Sequence, residues 1–255
     1  MANESKETLI SGDKKTPIVY FVLPCYNEVE GLNHTADVLR QKMTQLINES
    51  LIDSRSRVLF VDDGSHDGTW ELIEKIHASD ANLFGGVKLA HNRGHQNALY
   101  AGLMAAYSAG CDAAISMDAD LQDDVDASDE MIKQFSEQHC EIVYGVRSSR
   151  EKDTWFKRNT ANLFYSVFAW MGAETISNHA DYRLMGKASL EALSQYREVN
   201  LFLRGIVPTL GFKTGKVYYK RGIREAGESK YPLKKMIAFA IEGITSFSTK
   251  PLKFV

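Results

Sequence analysis

The chain has 255 residues, 44% hydrophobic and 25% charged, a composition that suits a globular protein with a real core and excludes disorder as its main theme. Three widely spaced cysteines (Cys25, Cys111, Cys140) exclude a readable disulfide framework or zinc cluster and suit a reducing setting. Net charge is only -3, but residues 213–255 hold ten Lys/Arg against three Glu, while the rest holds 20 basic and 30 acidic residues; that basic segment suggests an anionic partner such as a membrane surface, a lipid phosphate or nucleic acid.

Residues 1–16 read as a polar tail without the apolar stretch of a signal peptide. No apolar run approaches the roughly 18–20 residues of a membrane span. From there, Ile18–Leu23, Val58–Val61, Phe84–Leu89, Ala113–Met117 and Ile142–Val146 read as buried strands, with Pro24 stopping the first. Between them run helical patterns: Leu32, Leu39, Met43 and Leu46; Leu72, Ile73 and Ile76; Leu99, Leu103 and Ala106; Met131, Ile132 and Phe135. Asp67 is the expected N-cap of the second helix, and Gly110 the stop of the third. Beyond residue 150 the pattern gives an aromatic helix over Trp155–Met171, a short strand at 179–185 and a helix at Lys187–Leu193. A helix near Leu201–Leu210, a strand at Thr214–Lys220 and a last helical pattern over Leu233–Phe247 complete it.

Strand–helix alternation predicts an α/β fold with a mostly parallel sheet flanked by helices. Ligands of such sheets bind beyond the C-terminal strand ends. The polar motifs fall there: PCYNE (24–28), DDGS (62–65), HNRGH (91–95) and DADLQ (118–122) follow strands one to four.

Asp118 and Asp120 are the sharpest signal. On an extended segment, residues i and i+2 project to one side, so both carboxylates can face one hard cation, Mg²⁺ or Mn²⁺, that bridges phosphates. Gln122 continues that face. Asp62 and Asp63 close strand two, where a carboxylate can accept hydrogen bonds from a base N–H or a ribose hydroxyl; capping of the next helix is the plainer use of one of them. Tyr26 and Glu28 are placed to meet a base and ribose. His91, His95 and His179 lack paired metal-ligand spacing and read as hydrogen-bonding loop residues. Cys25 reads as a small buried residue beside the pocket. No G-x-G-x-x-G follows the first strand, which counts against a dinucleotide-binding module.

In this order, PCYNE, DDGS, NRG, DADLQ and a late RxxGxSKY resemble glycosyltransferase family 2 with the GT-A fold, over about residues 17–251. HADYRLM (179–185), GESKYP (227–232) and FSTKPL (247–252) narrow the resemblance to the polyprenyl-phosphate branch, the bactoprenol glucosyltransferases and dolichol-phosphate mannosyltransferases. It implies a catalytic domain over 17–220, then a basic acceptor loop and an amphipathic, membrane-facing helix over 221–255. It also implies that Pro24, Tyr26, Glu28, Asp62 and Asp63 line the nucleotide-sugar pocket, near Asn92 and Gly94. Asp118, Asp120 and Gln122 would hold metal and diphosphate. Asp181 matches the branch's acceptor-side carboxylate, a base candidate, and Arg221, Arg224, Ser229 and Lys230 would meet phosphates.

The implied activity is an inverting, metal-dependent transfer of a hexose to a polyprenyl phosphate such as undecaprenyl phosphate. UDP-glucose is the first donor expected, with UDP-N-acetylglucosamine and GDP-mannose open. A polysaccharide acceptor and a non-catalytic nucleotide-binding module are the alternatives. The resemblance favours an anionic membrane surface over nucleic acid as partner, at the cytoplasmic face. An apolar helical stripe can also bury a homo-oligomer contact. Relatives in the branch continue into transmembrane helices after the segment that matches FSTKPL. A lipid phosphate is already anionic near neutrality, since its second pKa is about 6, so a general base is less necessary than with a hydroxyl acceptor. Asp181 is therefore expected to position groups or to partner Arg183.

Overall fold

A computed structural model describes residues 16–148, 179–196, 201–220 and 222. Its seven strands are β1 (Val19–Cys25), β2 (Arg57–Asp62), β3 (Phe84–Lys88), β4 (Ala113–Ser116), β5 (Ile142–Arg147), β6 (His179–Gly186) and β7 (Thr214–Tyr219). Among the described residues six helices accompany them: α1 (Leu32–Asn48), α2 (Thr69–Ser79), α3 (His95–Ser108), α4 (Ala127–Gln138), α5 (Lys187–Ser194) and α6 (Leu203–Thr209). The aromatic pattern at 155–171, the polar tail up to residue 15 and the helical pattern at 233–247 lie outside the described residues.

The strands form one sheet in the order β3-β2-β1-β4-β6-β5-β7. β6 pairs antiparallel with both β4 and β5, and all the other pairings are parallel. The apolar runs become strands because both faces of the sheet are covered. On one face Phe21, Leu23 and Phe60 pack with Leu39 and Met43 of α1, Ile73 of α2 and Met131 of α4. On the other, Tyr20, Val22 and Val61 meet Leu99 and Leu103 of α3, Leu190 of α5 and Ile206 of α6. Gly102 lets α3 lie close on the sheet, because a Cβ there would fall inside van der Waals contact with Val22 and Val61. That approach sets the height at which the N-terminus of α3 meets the strand ends.

Several local expectations need correction. β1 continues through Pro24 to Cys25. The Val22 carbonyl accepts from Met117 N–H on the β4 side; Pro24, two residues on, faces that same side after β4 has ended at Ser116. Its missing N–H therefore leaves no ladder bond unmade. β3 is an edge strand with only Phe84 buried, not a buried strand; Gly85 and Gly86 are the sequence trace of that weak edge. α2 starts at Thr69 behind Gly68. Asp67 instead accepts from the Thr69 N–H (3.0 Å) and hydroxyl (2.6 Å), and its other oxygen from Val29 N–H (3.2 Å). It thus joins two loops rather than capping at the expected position. Gly110 does follow the end of α3, with φ +85°.

Candidate active site

Strand order reverses between β1 and β4, where an open α/β sheet leaves a crevice. The loops after β1, β2, β3 and β4 meet at this point through their own hydrogen bonds. Asn27 N–H donates to Ser65 Oγ, His66 N–H to Asn27 Oδ1 and Glu28 N–H to Thr69 Oγ1, each at 3.0 Å. Thr35 of α1 donates its hydroxyl to the Ala119 carbonyl at 2.7 Å and so fixes the loop after β4. Gly64 lies against the loop after β3: a Cβ there would be 2.6 Å from Asn92 N, on a backbone with φ +70°. PCYNE, DDGS and NRG therefore build one wall.

The two carboxylates that close β2 have separate jobs. Asp63 accepts from Arg93 N–H (2.6 Å) on one oxygen and from Gly94 N–H (2.9 Å) on the other. It shapes the loop at Asn92 and Gly94, and it does not cap the next helix. Burial raises the Asp63 carboxyl above its ordinary value, against those two backbone hydrogen bonds. Asp62 has no exposed surface. Its Oδ1 accepts from Ser65 N–H at 3.2 Å, and its Oδ2 is buried with no hydrogen-bond partner among the described residues. An orphaned buried acceptor at a strand end is what a ligand N–H or hydroxyl completes. Pro24 is buried beneath the same wall, Tyr26 stands 44% exposed at its rim and Glu28 is half-buried. Cys25 is buried and its thiol pushed far up by that burial.

Asp118 and Asp120 do not sit on extended strand, because β4 ends at Ser116 and the chain turns at Ala119 and Asp120. Leu121 has φ +51°, and Gln122 N–H donates to Asp120 Oδ1 at 3.1 Å. The turn, not strand alternation, presents these groups. Burial, then the charges of Asp123, Asp181 and Asp120, raise the Asp118 carboxyl, while His95 pulls it down. That surplus of negative charge fits a hard cation with oxygen ligands. Among the described residues no three His, Cys, Asp or Glu side chains gather to hold a metal by themselves. A cation here would rest on the two carboxylates, Gln122 and donor phosphates, the arrangement Mg²⁺ commonly takes.

Across the crevice, Asp181 on β6 gathers residues from three elements. Its Oδ1 accepts from Arg183 Nη2 (2.6 Å) and Arg204 Nε (3.1 Å). Its Oδ2 accepts from Arg204 Nη2 (2.9 Å) and Gln96 Nε2 (3.3 Å), and lies 3.3 Å from His95 Nε2. Burial alone would raise this carboxyl; the charge of Arg204, the hydrogen bond from His95 and the charge of Arg183 overcome it and hold the group well below the usual carboxylate range. His95 is the first residue of α3, not a loop residue, and its Nε2 also stands 3.8 Å from Asp118 Oδ1. Burial opposes its charge, but the Asp181 hydrogen bond and the Asp118 and Asp181 carboxylates raise its pKa. His95, Gln96 and Arg204 were not among the expected site residues. Arg221, Arg224, Ser229 and Lys230 lie outside the described residues, but Gly222 N–H donates to the Gln122 carbonyl at 2.9 Å.

A mostly parallel α/β sheet of this order, with these loops at its switch point, has the GT-A fold. Residues 20–197 match the Glycosyl transferase family 2 profile, and the chain belongs to that family. It is 51% identical over 238 residues (93% of this chain, 70% of the relative) to the uncharacterized glycosyltransferase YkoT of Bacillus subtilis strain 168. It is 34% identical over 236 residues (92% and 73%) to the bactoprenol glucosyl transferase of Shigella phage SfV. The solved glucosyl-3-phosphoglycerate synthase of Mycobacterium tuberculosis, in complex with Mn²⁺, UDP and phosphoglyceric acid, superposes with a TM-score of 0.57 at 15% identity (90% and 77%). No helix among the described residues is long and apolar enough to cross a membrane.

Proposed function

We propose that this glycosyltransferase moves a hexose, with inversion, from a nucleotide sugar to a polyprenyl phosphate, with UDP-glucose as donor. The observation that carries the acceptor is the state of Asp181. A carboxylate offers about four lone-pair sites, and this one meets five N–H contacts and is held far toward its anion. It is a poor proton acceptor near neutrality. A sugar hydroxyl needs a base to become a nucleophile, whereas a lipid phosphate with a second pKa of about 6 brings its own negative charge. The bactoprenol glucosyl transferase relative supports both the lipid and the glucose.

In this reading Asp62 Oδ2 accepts from the base or ribose, with Pro24, Tyr26 and Glu28 around it. Asn92 and Gly94 border the sugar nucleotide, and Asp63 holds their loop without touching the ligand. Asp118, Asp120 and Gln122 would hold Mg²⁺ or Mn²⁺, which when bound neutralises charge on the departing diphosphate. The acceptor phosphate oxygen bonds to the anomeric carbon as the bond to the nucleoside diphosphate breaks, and the electron pair leaves on the diphosphate oxygen. Arg204 and His95, anchored by Asp181, give the acceptor wall its positive charge. Arg221, Arg224, Ser229 and Lys230 would meet the acceptor phosphate, and the segment 233–247 would meet an anionic membrane on its cytoplasmic face.

The test is transfer of labelled sugar from UDP-glucose, UDP-N-acetylglucosamine and GDP-mannose, with and without Mn²⁺, to undecaprenyl phosphate or to soluble saccharides. Label is expected in the lipid from UDP-glucose. UDP with Mn²⁺ is expected to raise the melting temperature by binding linkage, and more than GDP does at equal concentration. Transfer to soluble saccharides alone, or stronger stabilisation by GDP, would overturn the reading.

A further inference from the structure

Gln96, the second residue of α3, serves two other elements through one amide. Its Nε2 donates to Asp181 Oδ2 on β6 at 3.3 Å, and its Oε1 accepts from the N–H of Leu203, the first residue of α6, at 3.0 Å. The first N–H groups of a helix have no partner inside it, and the N-cap residue here, Phe202, makes no side-chain cap hydrogen bond. Gln96 supplies that bond from 107 positions away. Asp181 takes a donor and Leu203 N–H an acceptor, and the amide carries one of each in a fixed geometry. Reversing it would set oxygen against the carboxylate and NH₂ against the N–H.

These contacts close into a ring. Asp181 Oδ1 accepts from Arg183 Nη2 at 2.6 Å, and Arg183 Nη1 donates to the Leu203 carbonyl at 3.4 Å. Leu203 is thus held by its N–H through Gln96 and by its carbonyl through Arg183, and both holders are tied to Asp181. The next residue is Arg204, whose Nε and Nη2 form a fork on the two oxygens of the same carboxylate, at 3.1 and 2.9 Å. Base and tip of the Arg204 side chain are therefore both fixed relative to Asp181. Arg183 is 1% exposed and the Arg204 side chain 34%, so Arg204 is the arginine of this cluster that a ligand can reach. It stands at the crevice, because Asp181 Oδ2 is also 3.3 Å from His95 Nε2, which lies 3.8 Å from Asp118 Oδ1. α3 is a stiff base for Gln96, since Ala98, Leu99 and Leu103 are buried against the sheet.

We propose that Gln96 is a positioning residue for the acceptor: by fixing Asp181 and the start of α6 together, it sets the direction in which Arg204 presents its guanidinium to the acceptor phosphate. This rests on the phosphate-acceptor reading given above. A planar guanidinium recognises phosphate through a fork of defined direction. A turned Arg204 therefore weakens acceptor binding and leaves the nucleotide wall, built by other residues, as it is.

The experiment measures steady-state transfer to undecaprenyl phosphate in detergent micelles, from UDP-glucose or whichever of the three donors the wild type accepts. The variants are Gln96→Leu, Gln96→Glu, Arg204→Met and each Gln96 change combined with Arg204→Met. The NMR signal of the Arg204 Nε–H, assigned by its loss in Arg204→Met, is recorded without substrate. Gln96→Leu keeps the size and removes both hydrogen bonds. Its KM for undecaprenyl phosphate should rise about tenfold, the scale of one charge-assisted hydrogen bond, with the donor KM unchanged and the Nε–H signal shifted or broadened. Gln96→Glu keeps an acceptor for Leu203 N–H but loses the donor to Asp181, and should move both readouts in the same direction. On Arg204→Met, Gln96→Leu should add nothing to the acceptor KM, because residues that act through one another are not additive. An unchanged acceptor KM, an unchanged Nε–H signal, or an equal effect of Gln96→Leu with and without Arg204 would overturn the proposal. A fall in melting temperature with both KM values unmoved would make Gln96 purely structural and overturn it too. If Gln96→Leu does not fold, Gln96→Glu decides by the same measurements. A wild type that transfers sugar to no polyprenyl phosphate would remove the acceptor reading, and this proposal with it; the Nε–H signal tells that failure from a failure of Gln96 to position Arg204.

Discussion

Replacing Asp181 by Asn separates a charge anchor from a general base. The carboxylate is 6% exposed and faces Arg183, which is 1% exposed and donates through Nη2 at 2.6 Å. Removing one partner of a buried ion pair typically costs about 3–5 kcal/mol, because the other charge stays buried and uncompensated. The Asn amide oxygen can still accept one hydrogen bond, which places this variant near the lower end. Arg204 and His95 side chains are 34% and 40% exposed, so solvent screens their share to at most about 1 kcal/mol. A loss near 3 kcal/mol lowers the melting temperature of a chain this size by roughly 10 °C. The double variant Asp181→Asn/Arg183→Met removes the stranded charge, and apolar replacement of a buried pair is often neutral; it should recover most of the loss. Urea unfolding at pH 7 of the wild type, both single variants and the double completes the cycle. The pH dependence has a definite sign. With its folded pKa depressed, Asp181 contributes stability that is present above its unfolded value of about 3.9 and is lost as pH falls through the depressed value. Asp181→Asn should therefore show a flatter acid branch. A single-variant loss below about 1 kcal/mol, or a double variant no more stable than Asp181→Asn, would refute the anchor.

Asp118→Asn and Asp120→Asn should each cut turnover by at least about 10²-fold, the usual scale for losing leaving-group stabilisation, with melting temperature near that of the wild type; near-normal turnover of both at saturating Mn²⁺ would sink the metal assignment. Gly64→Ala should destabilise by about 1–3 kcal/mol, because φ is +70° and the new Cβ meets Asn92 N at 2.6 Å. It should also weaken UDP binding, as read by calorimetry, and a variant with unchanged stability would contradict the fitted loops. The protein should co-sediment with anionic liposomes through its basic residues after 213, and raised salt should release it by screening; equal binding to neutral vesicles would argue against a charged docking surface.

Most of the sheet was legible because its strands are covered on both faces, so that runs such as residues 18–23 and 142–146 stand out without alternation. The four loop motifs were legible because their glycines, prolines and carboxylates fall directly after those runs. The antiparallel insertion of β6 between β4 and β5 was not, since strand order comes from long-range packing that local pattern does not encode. The same physics hid the cluster around Asp181. Gln96 and Asp181 lie 85 positions apart, and Leu203 N–H meets Gln96 Oε1 across 107. His91 stands four residues before His95 but on the loop rather than on α3, and the one visible trace of His95 was its place directly after the NRG motif. Asp67 was misplaced for a local reason: the Thr69 hydroxyl competes for its oxygen, and the helix starts one residue later, behind Gly68. Asp118 and Asp120 were found by an argument from strand alternation that the turn at Ala119 replaces.

The two walls carry opposite charge, and that opposition bears on how substrates are sorted. Asp181 with Arg183 and Arg204 sums to one positive charge, and His95, its pKa raised by the Asp181 hydrogen bond and the Asp118 and Asp181 carboxylates, adds to it when protonated. Among the described residues, Asp118, Asp120 and Asp123 sum to a negative patch eased by Arg147 and His95. In the proposed reaction an acceptor phosphate is drawn to the first wall and repelled by the second until a cation arrives with the donor diphosphate. His95 Nε2 spans the boundary, 3.3 Å from one carboxylate and 3.8 Å from the other, so donor and acceptor charges meet across a single imidazole. A carboxylate free to take a proton at this boundary would lose its hold on Arg204 whenever it did so. Five N–H contacts keep Asp181 charged, and in the proposed reaction a phosphate nucleophile needs no base there.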